Sequence, residues 1–213
     1  MLKVAVFGDS ICVGQFVSPH LTWVTRIAQK LEDKFGSEVW VNNASHSGDT
    51  TRLALERMAY DVLSHGLDVL LIQFGLNDCN YWASDRGHPR VAPAVFQENL
   101  REMIARARLY GAREILLNTN HPTLRMEKFE HIEVVYQECN ERYNRLIRRV
   151  ATQEGAGLVD IETEWTSRLA SGGDLHSLLL PDRVHLARTG HDLYLSLVYP
   201  PLAHAVRSCL CSI

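Results

Sequence analysis

The sequence predicts an α/β fold in which a parallel sheet is covered by helices on both faces. Three observations carry this expectation. Five short apolar runs are spread along the chain, the stretches between them place apolar residues at three- and four-residue steps, and glycines stand at or near the ends of the helical stretches. Runs that are apolar throughout suit strands buried on both faces. Strands alternating with amphipathic helices build βα units and hence a parallel sheet.

The first run, Leu2 to Phe7, ends in the turn Gly8-Asp9-Ser10. Leu21, Val24, Ile27, Ala28 and Leu31 then mark one face of a helix that closes near Gly36. The second run is Val39 to Val41, and the third, the most apolar, is Val69 to Phe74, entered through Gly66. Phe96, Leu100, Met103, Ile104 and Ala107 give the next helical face, closing at Gly111 before the fourth run, Ile115 to Leu117. Ile132, Val135, Tyr136, Cys139, Tyr143, Leu146, Ile147 and Val150 extend the same rule over a longer helix that stops at Gly155, and Leu158 to Ile161 is the fifth run. Glycine suits these helix ends because it takes positive φ without strain. A final helix is expected to stop at Pro200 and Pro201, since proline has no N–H to continue the ladder, leaving a short tail.

The 213 residues, 46% of them apolar, suffice for one domain with a substantial core, and no linker or repeat divides them. A net charge of -3 does not supply the field of a nucleic-acid binder or of a protein held on an anionic membrane. No apolar stretch approaches the roughly 20 residues that cross a bilayer, and the N-terminal run is too short for a signal-peptide core, so the expected compartment is the cytoplasm. Five cysteines, Cys12, Cys79, Cys139, Cys209 and Cys211, form no CxxC pair; they read as reduced thiols, most of them buried, and not as a zinc site.

In a parallel α/β sheet, ligands bind beyond the carboxyl ends of the strands. Four segments at such positions carry groups that acyl transfer needs. Ser10, on the turn after the first strand, can project its hydroxyl into the crevice while its N–H faces a developing oxyanion; a turn or cap serine would occupy the same place. Gly48, in Ser47-Gly48-Asp49-Thr50-Thr51, allows close approach of backbone N–H to a substrate, against a plain capping role for the segment. Asn77, in Gly75-Leu76-Asn77-Asp78, offers an uncharged donor to an oxyanion, or an Asx-turn. Asp182-Arg183-Val184-His185 sets a carboxylate three residues from an imidazole, the spacing of a base and its orienting partner or of a surface pair. His46 and His191 beside these motifs suit turn and helix-start roles, and Asp9 suits bracing of the first turn. Tyr81, Trp82, Arg86 and Arg90 lie in a loop that either walls the crevice or is solvated with one anchoring aromatic, and Asn120-His121-Pro122-Thr123 is placed to form the next wall.

Taken together and in chain order, Gly8-Asp9-Ser10, Gly48, Gly75-x-Asn77-Asp78 and Asp182-x-x-His185 resemble blocks I, II, III and V of the SGNH/GDSL hydrolases, with Ile11 where the family often has leucine. The likeness spans nearly the whole chain. It implies a flavodoxin-like three-layer α/β/α sandwich with strand order 2-1-3-4-5. It also implies Ser10 as nucleophile, His185 as base, Asp182 as its orienting carboxylate, and an oxyanion hole of Ser10 N–H, Gly48 N–H and the Asn77 amide. No G-x-S-x-G elbow supports the α/β-hydrolase alternative.

The expected activity is therefore hydrolysis of a small-acyl carboxylic ester, such as an O-acetyl group on a carbohydrate, through an acyl-enzyme, with no metal or organic cofactor. A thioesterase or lysophospholipase-type enzyme is the alternative, and a catalytically silent binding domain on the same frame is the reading from another class. The expected partner is a small-molecule ester, with no nucleic acid and no stable membrane insertion; association into a homo-oligomer is left open.

Overall fold

The computed structural model describes residues 1–85, 87–129 and 132–211. Five strands, β1 (Leu2–Gly8), β2 (Val39–Asn43), β3 (Val69–Gln73), β4 (Glu114–Asn118) and β5 (Gly157–Val159), form one all-parallel sheet in the order β2-β1-β3-β4-β5. Each coincides with one of the five apolar runs to within three residues at either end. The central strand β3 is buried at every position, which is why its sequence is apolar without alternation up to Gln73.

Among the described residues, seven α-helices flank the sheet: α1 (Ser10–Val13), α2 (Trp23–Phe35), α3 (Thr51–Met58), α4 (Pro93–Leu109), α5 (Tyr136–Glu154), α6 (Ile161–Ala170) and α7 (Arg188–Cys211). Helices α2, α6 and α7 pack together, with α7 lying along β1, β3, β4 and β5, while α3, α4 and α5 form the other layer. The three-layer sandwich with order 2-1-3-4-5 is thus the architecture present.

Two boundaries differ from the sequence expectation. Helix α5 starts at Tyr136 and not near Ile132, because Phe129 N–H donates to the Val134 carbonyl at 2.9 Å and Lys128 bridges Val135, which spends those residues on a small antiparallel turn. Pro200 and Pro201 do not stop the last helix; both lie inside α7, which runs on to Cys211. Each proline removes a ladder bond and crowds the preceding turn. The helix continues because burial on both sides of the interruption outweighs that loss: Leu193, Tyr194, Leu195 and Val198 before it, and Leu202, Ala203, Ala205, Val206 and Cys209 after it, are all buried.

The buried polar residues are not spread evenly. Asp9, Ser10, Gln73, Asp78, Asn118, Thr119 and Asn120 all fall at or just past the carboxyl ends of strands. Burying polar groups costs free energy unless they are satisfied, so their concentration along one edge locates the site.

Candidate active site

Gly8 ends β1 where the strand must pack tightly. A Cβ there would stand 2.5 Å from Cys12 Sγ and 2.8 Å from the Gln73 carbonyl oxygen, so only glycine lets the chain turn against β3. Asp9 then caps α1, its Oδ1 accepting from Ile11 N–H at 3.0 Å. Ser10 is the first residue of that short helix and is 7% exposed, its hydroxyl at the edge of the crevice.

His185 reaches Ser10 from the loop before α7. Its Nε2 lies 2.9 Å from Ser10 Oγ and its Nδ1 2.6 Å from Asp182 Oδ2. The other carboxylate oxygen, Asp182 Oδ1, accepts from the N–H groups of Val184 at 3.0 Å and His185 at 2.9 Å. Burial alone would raise the Asp182 carboxyl, but these two N–H bonds and the imidazole hold it below the usual carboxylate value. The tight turn needs Arg183 at φ +67°. It is pinned by Leu180 N–H to the His185 carbonyl at 2.7 Å and Ala187 N–H to the Leu178 carbonyl at 2.9 Å.

The four motif segments are laced together at the sheet edge. His46 N–H donates to the Gly8 carbonyl at 3.1 Å, joining the second segment to the first. Asn77 Nδ2 lies 3.4 Å from Asp9 Oδ2, joining the third to the first. Asp78 Oδ1 accepts from Thr51 N–H at 2.9 Å and Thr51 Oγ1 at 2.6 Å, joining the third to the second. Gly48 sits at φ +83° with open space around its Cβ position, and its carbonyl accepts from Arg90 Nη1 at 3.1 Å.

Other residues singled out from the sequence fall elsewhere. Asn120, His121 and Thr123 do not wall the crevice; all three are buried behind it. Asn120 links Gln73 Nε2, at 2.7 Å, to the Phe74 carbonyl, at 3.1 Å. His191 is buried, its Nδ1 accepting from Trp23 N–H at 3.3 Å, whereas His46 is exposed and 3.8 Å from Asp61. Trp82 and Arg90 do line a cleft, the guanidinium stacked 4.0 Å over the indole, while Tyr81 packs inward on Phe129. Arg86 lies outside the described residues.

Two contacts at the site are not foreseen from the sequence: His121, read there as a crevice wall, braces the base, and Phe16 is not singled out at all. His121 Nε2 lies 2.8 Å from the Val184 carbonyl, inside the Asp182–His185 turn, and its Nδ1 lies 2.8 Å from Tyr194 Oη. Phe16 meets the His185 ring edge-on, with centroids 5.5 Å apart. Both contacts join residues far apart in sequence, and neither residue belongs to a motif.

Burial also acts on two carboxyls under the site. It raises Asp9 to about 7, helped by the neighbouring Asp78 and Asp49, and raises Asp78 to about 6 against the bonds from Thr51. For Asp9 the folded value lies above the ordinary 3.8. The folded chain therefore keeps a proton that the unfolded chain has released, and stability falls as pH rises from about 4 to about 7. Asp9→Asn, neutral throughout, is expected to unfold on the order of 5 °C higher than the parent at pH 8, with the gain shrinking towards pH 4 to 5. Thermal unfolding at the two pH values reads this directly. An equal difference at both would show that Asp9 does not titrate in that window.

Among the described residues, no group of three or more His, Cys, Asp or Glu side chains is arranged to hold a metal ion, and no helix is long and apolar enough to cross a membrane.

A three-layer α/β sandwich with a serine, an imidazole and a carboxylate in one hydrogen-bonded chain at the carboxyl edge of its sheet is the arrangement of a serine hydrolase. Residues 6–193 match the model of the GDSL-like lipase/acylhydrolase family, and the chain belongs to that family, as a carboxylic ester hydrolase. It is 28% identical over 197 residues to esterase TesA of Pseudomonas aeruginosa, covering 92% of this chain and 86% of that one. A lipase/acylhydrolase structure from Enterococcus faecalis superposes with a TM-score of 0.76 at 26% identity, covering 96% of both chains. The acetyl xylan esterase AlAXEase gives a TM-score of 0.73 at 25% identity over 92% of this chain and all (100%) of that one.

Proposed function

We propose that the chain hydrolyses small-acyl carboxylic esters by two-step acyl transfer on Ser10. The observation that carries this reading is the unbroken chain from Ser10 Oγ through His185 to Asp182, at 2.9 and 2.6 Å. Ser10 Oγ attacks the ester carbonyl as His185 Nε2 takes its proton, and Asp182 holds the imidazole in the accepting tautomer and steadies its charged form. The oxyanion that develops is met by Ser10 N–H, Gly48 N–H and the Asn77 amide, donors whose segments are tied to one another by the bonds around Asp9 and Asp78. His185 then protonates the leaving alcohol, and water repeats the sequence on the acyl-enzyme. A domain that only binds would have no use for a base aimed at a serine hydroxyl.

A small acyl group is favoured by the cleft beside Gly48. It has a volume of about 430 Å³ and is lined by Thr50, Arg52, Leu53, Trp82, His88, Pro89 and Arg90, a wall in which polar and apolar residues are mixed and no apolar surface runs unbroken. A long acyl chain gains about 0.8 kcal/mol per buried methylene only along continuous apolar surface, which this wall lacks. Acetyl is the acyl group that asks least of such a wall, and an O-acetyl group on a carbohydrate is the natural form of such an ester, as the name of AlAXEase has it for that protein. The five thiols are all free, which suits the reducing cytoplasm, and one sheet shared by all five strands supports the reading of a single domain.

The test is a panel of p-nitrophenyl esters from acetate to palmitate together with acetylated sugars. Acetate and butyrate should be turned over well, and kcat/KM should fall steeply beyond about eight acyl carbons. A kcat/KM that climbs steadily to palmitate would replace this reading with a long-chain thioesterase or lysophospholipase-type one. Short-ester activity without action on any acetylated sugar would keep the pocket size and remove the carbohydrate.

A further inference from the structure

Phe16 breaks both rules that ordinarily place an aromatic side chain. It is 73% exposed, so its ring gains little from burial. Its φ is +68°, the left-handed region that residues with a Cβ enter at a cost. Backbone kept in such a state marks a place where the surroundings have a use for it. The turn that carries Phe16 hangs from the backbone of Ser10: Gly14 N–H and Gln15 N–H both donate to the Ser10 carbonyl, at 2.9 and 3.1 Å, and Val17 N–H returns to the Gly14 carbonyl at 3.0 Å. From there the ring meets His185 edge-on, at 5.5 Å and 84°.

The chemistry says what lies beside that imidazole. Nδ1 is occupied by Asp182 and Nε2 faces Ser10. Having taken the serine proton, the same Nε2 delivers it to the leaving oxygen as the C–O bond of the ester breaks, while the acyl carbon stays bonded to Ser10 Oγ. The alcohol half of the ester therefore departs along the His185 ring. A second ring, packed on that imidazole at one edge and open to solvent over most of its surface, walls the path.

We propose that Phe16 is a specificity-determining residue of the leaving-group subsite, selecting esters whose alcohol is a ring with an apolar face over those of open-chain alcohols. The inference rests on the proposed hydrolysis at Ser10. Aryl alcohols and sugars share the required ring face, and the substrates below tell them apart.

The test compares the parent with Phe16→Gly on phenyl acetate, a methyl 6-O-acetyl-glucoside and ethyl acetate. Glycine accepts φ +68° without strain, so the melting temperature should hold or rise by up to about 2 °C. At the same time kcat/KM should fall about three- to tenfold for one or both ring esters, mainly through KM, and far less for ethyl acetate. A loss confined to phenyl acetate assigns an aryl alcohol, and one confined to the glucoside assigns a sugar. A parallel loss on all three esters together with a lower melting temperature would make Phe16 a packing residue and overturn the proposal. Should the parent hydrolyse none of the three, ester hydrolysis at Ser10 fails by itself, and Phe16 is judged by binding. Phenol and methyl glucoside titrated by NMR into Ser10→Ala and into Ser10→Ala/Phe16→Gly should bind more weakly to the second protein. Equal binding of both probes would also overturn the proposal.

Discussion

Alanine at position 10 is expected to lower kcat by roughly 10⁴-fold or more while leaving the melting temperature within about 2 °C of the parent. The loss is large because the acyl-enzyme needs an oxygen at this position, and the hydroxyl bonded to His185 Nε2 is that of Ser10. The fold should persist because what builds the turn is elsewhere. Asp9 caps the helix through Ile11 N–H, and Gly8 sets the packing on β3. Alanine is at home in a helix. Steady-state kinetics with p-nitrophenyl acetate and labelling by a fluorophosphonate read the two halves of the expectation. Turnover above about 1% of the parent, or label carried by another residue, would take the nucleophile's role from Ser10.

Asp182→Asn should come next in size, with kcat reduced by roughly 10⁴-fold. Asparagine can keep Oδ1, which accepts from Val184 and His185 N–H, so the turn retains its anchorage. What changes is the atom facing Nδ1. An amide NH₂ in place of Oδ2 donates, Nδ1 must accept, and the imidazole proton moves to Nε2, where it points at Ser10 Oγ and blocks proton abstraction. Asp182→Ala adds loss of the turn's anchorage to the same defect and should also lower the melting temperature. The comparison separates tautomer control from anchorage. If Asp182→Asn costs less than about tenfold, the working unit is Ser10 and His185 alone, and Asp182 serves only to shape the turn.

Much of this architecture is legible in the sequence, and for a physical reason. In a parallel sheet covered on both sides, strands are buried throughout and helices are buried on one stripe. Val69–Gln73 and the Tyr136–Glu154 face accordingly carry unmistakable periodicities. The motif residues are also local: Asp182 and His185 are three positions apart, and the Gly8 turn declares itself. What is not legible is decided by packing between distant segments. The prolines of α7 read as a stop because local chemistry favours one there, and only the burial on either side of them carries the helix through. His121, read as a wall of the crevice, lies inside, because Tyr194 and Val184, 73 and 63 residues away, supply its two partners. Phe16 offers no pattern at all, since its position follows from a left-handed turn and a ring contact 169 residues along the chain.

The buried groups around the site also hold a proton balance of their own. Burial lowers His121 and His191 to about 4 each, and raises Asp9 to about 7 and Asp78 to about 6. Between about pH 6.5 and 4 the two imidazoles take up protons in the unfolded chain but not in the folded one, so acid acting through them favours unfolding. Over much of the same range the two carboxyls are protonated in the folded chain and ionised in the unfolded one, so acid acting through them favours folding. The two pairs oppose each other nearly proton for proton. Through these four groups mild acid changes stability less than through either pair alone, and the brace from His121 to Val184 keeps its neutral, hydrogen-bonded form down to about pH 4.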